Sequence, residues 1–255
     1  MAGSPTLTPA IVVGVVRYGE TSRIVRLATR ELGLQSAIAK GVARPRSRFV
    51  GLQLLSEGTA HLLQGRGELA TLTAFDPLDL HTPLASRLIA FRAASALAAV
   101  AGRAIPPAHH PEVHDALRHG IRLIEAAPEP AAEIAGLAAL WRFVAALGHA
   151  PVLDRCVRDG RPVDAAGGAA FAIEEGGVLC ATCASGGGAT RLAHEDLQAL
   201  AFLLAGDAPP PDLDARYARA HRRLLGRWLT RHVTDGPLPA VEGWVRGDDS
   251  PLGVG

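Results

Sequence analysis

Tyr18-Gly19-Glu20-Thr21-Ser22-Arg23-Ile24-Val25-Arg26-Leu27-Ala28-Thr29-Arg30-Glu31-Leu32-Gly33-Leu34-Gln35-Ser36-Ala37-Ile38-Ala39-Lys40 is the stretch that decides the fold. Tyr18-Gly19-Glu20 is turn-like, and Ser22 to Thr29 reads as a strand. Leu34 to Lys40 reads as another, and Glu31-Leu32-Gly33 between them has the length and the glycine of a hairpin loop. Upstream, Ile11 to Val16 is a short apolar run interrupted by Gly14. Downstream, Leu54 to Leu63 and Leu69 to Phe75 are joined by the tight-turn signal Gln64-Gly65-Arg66-Gly67. Five short strands within about 65 residues, with one longer connection after the third, predict a small closed barrel of the OB type. An SH3-like barrel gives a similar string.

Beyond Pro83 the pattern turns helical, so the expected class is α+β and multidomain. Residues 1–80 form the barrel and 81–153 the first part of a helical domain. Residues 154–190 are a glycine-rich insertion, 191–235 complete the helical domain, and 236–255 are a flexible tail. Leu84 to Ala101 carries Leu84, Leu88, Phe91 and Ala98 at helical spacing. Helices follow over about Glu112 to Ala126, Ala131 to Leu147, His194 to Ala205 and Asp212 to His232, the earlier ones opened by prolines whose missing N–H costs nothing at a first turn.

Charge is unevenly placed. Between Gly14 and Val50 lie Arg17, Arg23, Arg26, Arg30, Lys40, Arg44, Arg46 and Arg48 against Glu20 and Glu31, whereas the whole chain carries a net charge of only +1. Such polarisation attracts polyanions. The densest part, Lys40 to Phe49, falls in the long connection after the third strand, where a flexible arm held extended by Pro45 would present its arginines. Arg23 and Arg26 differ in parity, so only one of them joins that face. Tyr18 and Phe49 flank the segment as candidates for base stacking or for core packing. Charge with sparse aromatics predicts sequence-tolerant, salt-sensitive binding.

Cys180-Ala181-Thr182-Cys183 is a CxxC, and Cys156-Val157-Arg158-Asp159 repeats its spacing with a carboxylate in the last position. Two such knuckles predict a zinc-ribbon-like insertion, structural rather than catalytic, with Cys156, Asp159, Cys180 and Cys183 as ligands. A metal-free remnant held by packing and a redox CxxC remain open alternatives.

No G-x-S-x-G, HExxH or G-x-G-x-x-G occurs, and Lys40, the single lysine, stands outside any P-loop. A binding protein that is not an enzyme and uses no nucleotide is expected. His109, His110, His114 and His119 are read as exposed residues rather than ligands. Neither a secretory signal nor an apolar run of membrane-spanning length is visible, so a cytoplasmic, nucleoid-associated location is expected, with no membrane partner.

The chain resembles the RecO family in Tyr18 to Val25, Ala39 to Phe49 and Gly65-Arg66-Gly67-Glu68-Leu69. Leu147 to Pro151, Leu153-Asp154-Arg155-Cys156 and Gly177 to Ala184 follow in that family's order. The resemblance covers most of residues 10 to 235. It implies an OB-fold, a helical domain and a zinc-finger-like insertion. It also implies recombination mediation: binding of single- and double-stranded DNA, annealing without ATP, and assistance to RecA with RecR, with RecF a further candidate partner. Nucleic-acid contacts carry over onto Lys40, Arg44, Arg46 and Arg48, with Arg23 and Arg66 beside them. The metal ligands match at Cys156, Cys180 and Cys183, and Asp159 departs from the four-cysteine form. The acidic tail of single-strand-binding protein would meet Arg222, Arg223 and Arg227 on the last helix, although an amphipathic helix packed on its domain gives the same pattern. A protein-interaction adaptor with weak electrostatic DNA binding is the competing reading.

Overall fold

A computed structural model of the chain describes residues 5–65, 67, 69–205 and 215–247. Five strands, β1 (Thr6–Tyr18), β2 (Ser22–Thr29), β3 (Gly33–Ala39), β4 (Glu57–Leu63) and β5 (Leu69–Asp79), close into a barrel in the order β1-β2-β3-β5-β4. Of the pairings among these strands, that of β3 with β5 is parallel and the others are antiparallel. That order is the OB topology, and it separates this barrel from the SH3-like alternative.

β1 is longer than the apolar run Ile11 to Val16 because it serves two partners. Thr6 to Ile11 pairs with β4, Ala10 to Tyr18 pairs with β2, and a bulge lies between Val12 and Gly14. Before the bulge, Ala10 and Val12 face the barrel interior while Ile11 and Val13 pack outward against helices. After it the inward parity passes to Val15 and Arg17, opposite Val25 and Arg23. The interior is narrow, filled by small residues such as Ala37, Ala39, Ala60 and Ala70 around Leu27, Leu62 and Leu72.

Among the described residues, eight α-helices and a small sheet make up most of the rest. α1 (Thr82–Ala85), α2 (Leu88–Ala104), α3 (Pro111–Ala126) and α4 (Ala132–Ala146) precede the insertion. The insertion holds β6 (Ala169–Ala172), β7 (Gly177–Leu179), α5 (Ala181–Ala184) and β8 (Thr190–Leu192), and α6 (His194–Ala205), α7 (Ala215–His232) and α8 (Pro239–Arg246) follow. The start expected for α7 at Asp212 lies outside the described residues. Small residues let the helices approach closely: a Cβ on Gly136 of α4 would lie 2.6 Å from the Cβ of Ala93 on α2. Trp228 of α7 stacks obliquely on Trp141 of α4 at 6.0 Å and on Phe171 of β6 at 5.8 Å, which ties the insertion into the main core.

The barrel docks firmly on this body. Ile11, Val13, Ala28 and Leu55 belong to the same buried cluster as the helices. Gly33, at φ +66°, sits so close to the α2–α3 loop that a Cβ would fall 2.1 Å from the carbonyl oxygen of Pro106. Glu57, 7% exposed at its side chain, is held by Arg118 at 2.5 Å and Arg122 at 3.4 Å from α3.

Three expectations need correction. The first helix is broken into α1 and α2, because Arg87 turns its guanidinium to the carbonyls of Glu125 and Ala127 and to the Glu129 carboxylate. The tail is not free over 239–246: Pro239 starts α8, and Val241 and Trp244, three residues apart, are buried. Its residues beyond 247 lie outside those described. His114 is buried rather than exposed, with Nδ1 3.2 Å from Asp115. Among the described residues no helix is long and apolar enough to cross a membrane.

Candidate nucleic-acid interface

The hairpin at Gly19 and the connection after β3 meet at one end of the barrel. Arg17 and Arg23 pair directly across β1 and β2, and Arg23 pairs on its other side with Ala39, next to Lys40. The Ala43 N–H donates to the carbonyl of Thr21 at 3.1 Å, fastening the connection to the hairpin. Lys40, Arg44, Arg46 and Arg48 are all exposed there. Parity selects Arg23 for this group and sends Arg26 to the outer face, where its aliphatic stem would lie 3.6 Å from a Cβ placed on Gly14. Arg17 belongs with the group as well. The legible signal was its register opposite Arg23 across the Gly19 turn.

The connection is a wound loop and not an extended arm. Gly41, at φ +79°, opens successive turns closed by the bonds from Arg44 N–H to Gly41 and from Ser47 N–H to Arg44. Phe49 anchors it, 6% exposed among the barrel-core side chains, so this ring packs the core and is not available for stacking. The Arg48 guanidinium lies 5.2 Å over the Phe49 ring, which orients it at little entropic cost. Tyr18, 52% exposed, remains open to solvent.

Charge here is uncompensated. Among the described residues, none of Arg17, Arg23, Lys40, Arg44, Arg46 and Arg48 is ion-paired, and Glu20 in the adjoining turn reaches none of them. Several arginines elsewhere are ion-paired: Arg30, counted with the basic segment, pairs with Asp115 at 3.1 Å. An assembled cationic end with no carboxylate paired to it can neutralise phosphates and release the counterions condensed on a nucleic acid. Arg66 lies outside the described residues; its neighbour Gln64 donates to Gln35 of β3 at 3.2 Å.

In the insertion, one ligand atom from each of Cys156, Asp159, Cys180 and Cys183 lies within 4.8 Å of the others. The first knuckle turns through bonds from Cys156 N–H to Arg161 and from Gly160 N–H to Cys156. The second is the start of α5, where Ala184 N–H reaches back to Cys180. Asp159 Oδ2 accepts from the thiols of Cys180 at 3.4 Å and Cys183 at 3.5 Å. Tetrahedral zinc with thiolate and carboxylate ligands would set a sulfur–oxygen separation of about 3.6 Å, so the donor set fits. The Arg161 N–H, together with the thiols, holds the Asp159 carboxyl down at about 2. The Cys183 thiol is pushed up to about 12 by its bond with Cys180, by burial and by Asp159.

The three arginines assigned to a partner tail separate. Arg222 is an internal strut, 9% exposed, with Nε 2.9 Å from Glu133 and Nη1 donating to the Trp244 carbonyl at 2.8 Å. Its charge is already used to hold α8, so it does not stand with the other two. Arg223 and Arg227 line a cavity of about 830 Å³ between α7, α8 and the insertion, walled by Leu238, Val241 and Val245. A second cluster of possible ligands, Asp79, His81 and Glu125, carried no motif in the sequence, since Glu125 lies 44 residues from His81.

Comparison with known proteins bears on the whole of this arrangement. Residues 1–81 match the family described as recombination protein O, N terminal, and residues 85–242 match recombination protein O, C terminal. A DNA repair protein RecO from a Nocardioides species is 32% identical over 235 residues, covering 89% of this chain and 94% of that protein. The DNA repair protein RecO of Anaeromyxobacter dehalogenans is 36% identical over 239 residues, covering 88% and 89%. That of Heliobacterium modesticaldum is 32% identical over 178 residues, covering 68% and 64%. With both family models matched in sequence order onto a barrel and the helical body behind it, the chain belongs to the RecO family of DNA repair proteins.

Proposed function

We propose that this protein is a recombination mediator that binds DNA, anneals complementary strands without ATP, and assists RecA loading together with RecR. The observation that carries the reading is the end of the barrel, where six cationic side chains stand together without a carboxylate partner among the described residues. Annealing needs no covalent step. Two phosphate backbones repel, guanidinium groups between them lower that repulsion, and base pairing supplies the free energy. Contacts that are individually weak and blind to sequence let the product leave. In this reading the protein is not an enzyme, and it works in the cytoplasm at the nucleoid.

Cys156, Cys180, Cys183 and Asp159 would hold zinc, whose chemistry here is to cross-link two knuckles and stiffen the insertion. The cavity beside Arg223 and Arg227 would take the acidic tail of single-strand-binding protein, its carboxylates on the arginines and its apolar end on Leu238, Val241 and Val245. RecF is a further candidate partner. The deciding experiment is strand annealing by the isolated protein without nucleotide. Acceleration that disappears on replacing Arg44, Arg46 and Arg48 supports the reading. An unaccelerated reaction together with intact tail binding would favour the adaptor instead.

A further inference from the structure

The chain leaves the barrel through Asp79, the last residue of β5, and enters the helical body at Thr82, the first residue of α1. Between them lies His81, 4% exposed and at φ +48°. A non-glycine residue keeps that left-handed conformation only where its surroundings fix it. Carboxylates from three elements surround its imidazole. Nδ1 is 2.8 Å from Glu125 in the last turn of α3 and 3.8 Å from Asp79 Oδ2. On the other edge of the ring, Nε2 is 4.0 Å from Glu57 of β4.

The two edges differ. Glu57 is already engaged by Arg118 and Arg122, whereas Asp79 and Glu125 share the one imidazole. Asp79 Oδ1 accepts from the His81 N–H at 2.9 Å, which turns Oδ2 towards the ring. The His81 side chain is 2% exposed, that of Glu125 21% and that of Asp79 44%, so a buried nitrogen lies at the base and the oxygens open to solvent. Donor atoms bound to one ion at about 2.1 Å stand about 3.0–3.4 Å apart. The separations of 2.8 and 3.8 Å bracket that range.

We propose that Asp79, His81 and Glu125 bind a divalent ion of the class that takes mixed oxygen and nitrogen donors, Mn²⁺ or Zn²⁺, with water in the remaining positions. The ion takes Nδ1, and the hydrogen of the ring then sits on Nε2, turned to Glu57. A carboxylate behind the second ring nitrogen is the usual orienting partner of a ligating histidine. The added charge relieves two carboxylates that otherwise depend on one imidazole. Bound there, the ion ties the exit strand of the barrel to α3 and stiffens the passage between the barrel and the helices. The site holds no sulfur, so it is chemically distinct from the cysteine cluster, and it does not depend on the DNA-binding reading.

The test uses the full-length protein, given one equivalent of zinc to fill the cysteine cluster, with Mn²⁺ as the probe in electron paramagnetic resonance. One equivalent of Mn²⁺ is expected to bind, to show spin-echo modulation from an imidazole nitrogen, to raise the melting temperature and to be displaced by excess Zn²⁺. Glu125→Gln and Asp79→Asn, which keep the shape of each side chain, should each weaken Mn²⁺ about tenfold or more and lose most of the rise. Asp76→Asn, which alters an exposed carboxylate of β5 outside the cluster, should leave binding unchanged. Failure of the unmodified protein to bind Mn²⁺, or binding without the imidazole signal, overturns the site. Binding by the Glu125 and Asp79 variants as tight as that of the unmodified protein, or an equal loss in the Asp76 variant, overturns it as well.

Discussion

Arg17 and Arg23 face each other as directly paired residues across the β1–β2 hairpin, two like charges in register with no carboxylate beside them among the described residues. Like charges opposite one another destabilise a sheet. Replacing Arg17 by serine should therefore stabilise the protein by about 0.2–1 kcal/mol, seen as a higher denaturation midpoint, while DNA binding weakens. A variant of unchanged stability and equal affinity would show that the pairing is neutral and the residue idle.

Replacing Arg44, Arg46 and Arg48 with alanine should flatten the log–log salt dependence of single-strand binding by about 0.7 for each phosphate that the variant no longer neutralises. Binding isotherms at several salt concentrations measure it. An unchanged slope would assign these side chains to solvation alone.

Arg222 and its neighbours should behave in opposite ways. Arg222→Ala strands Glu133 and the Trp244 carbonyl, and is expected to lower stability by about 2 kcal/mol. Arg223→Ala and Arg227→Ala should leave the melting temperature nearly unchanged and weaken an acidic tail peptide about tenfold each. Denaturation and peptide titration on the three variants separate the roles.

Burial pushes His221 below its usual value, with only Asp196 pulling it back, and both ring nitrogens lack a hydrogen-bond partner among the described residues. His114 is lowered by burial too, opposed first by Asp115. A histidine whose folded value is depressed binds its proton more readily once unfolded. Its contribution is therefore complete above about pH 6.5 and is lost as pH falls through that point towards the folded value. Stability measured from about pH 7.5 down to about pH 5 should decline, and His221→Leu should reduce the slope.

Protein prepared without chelator should carry close to one equivalent of zinc, and Asp159→Cys should hold it more tightly in competition with a chromogenic chelator. Less than about half an equivalent would favour a packed remnant.

The barrel was legible because its signals are local. Turn residues at Gly19 and Gly33 and the strand between them fix the hairpin before any distant contact forms. The cation cluster was legible for the same reason, since its members lie within a few residues of two adjoining turns. What escaped depended on tertiary geometry. Phe49 is indistinguishable in sequence from a stacking aromatic until the loop folds it into the barrel. Arg222 looks like its neighbours until α8, hidden in a segment rich in glycine, proline and aspartate, returns to meet it.

The cations at the barrel end are guanidinium groups except at Lys40. Guanidinium keeps its proton at any pH a cell tolerates, and acylating enzymes that erase lysine charge have one target on this chain. On the proposed function, the grip on a polyanion therefore cannot be turned down by acidity or by widespread acetylation. It would have to be loosened from outside, by competing anions or by an acidic partner.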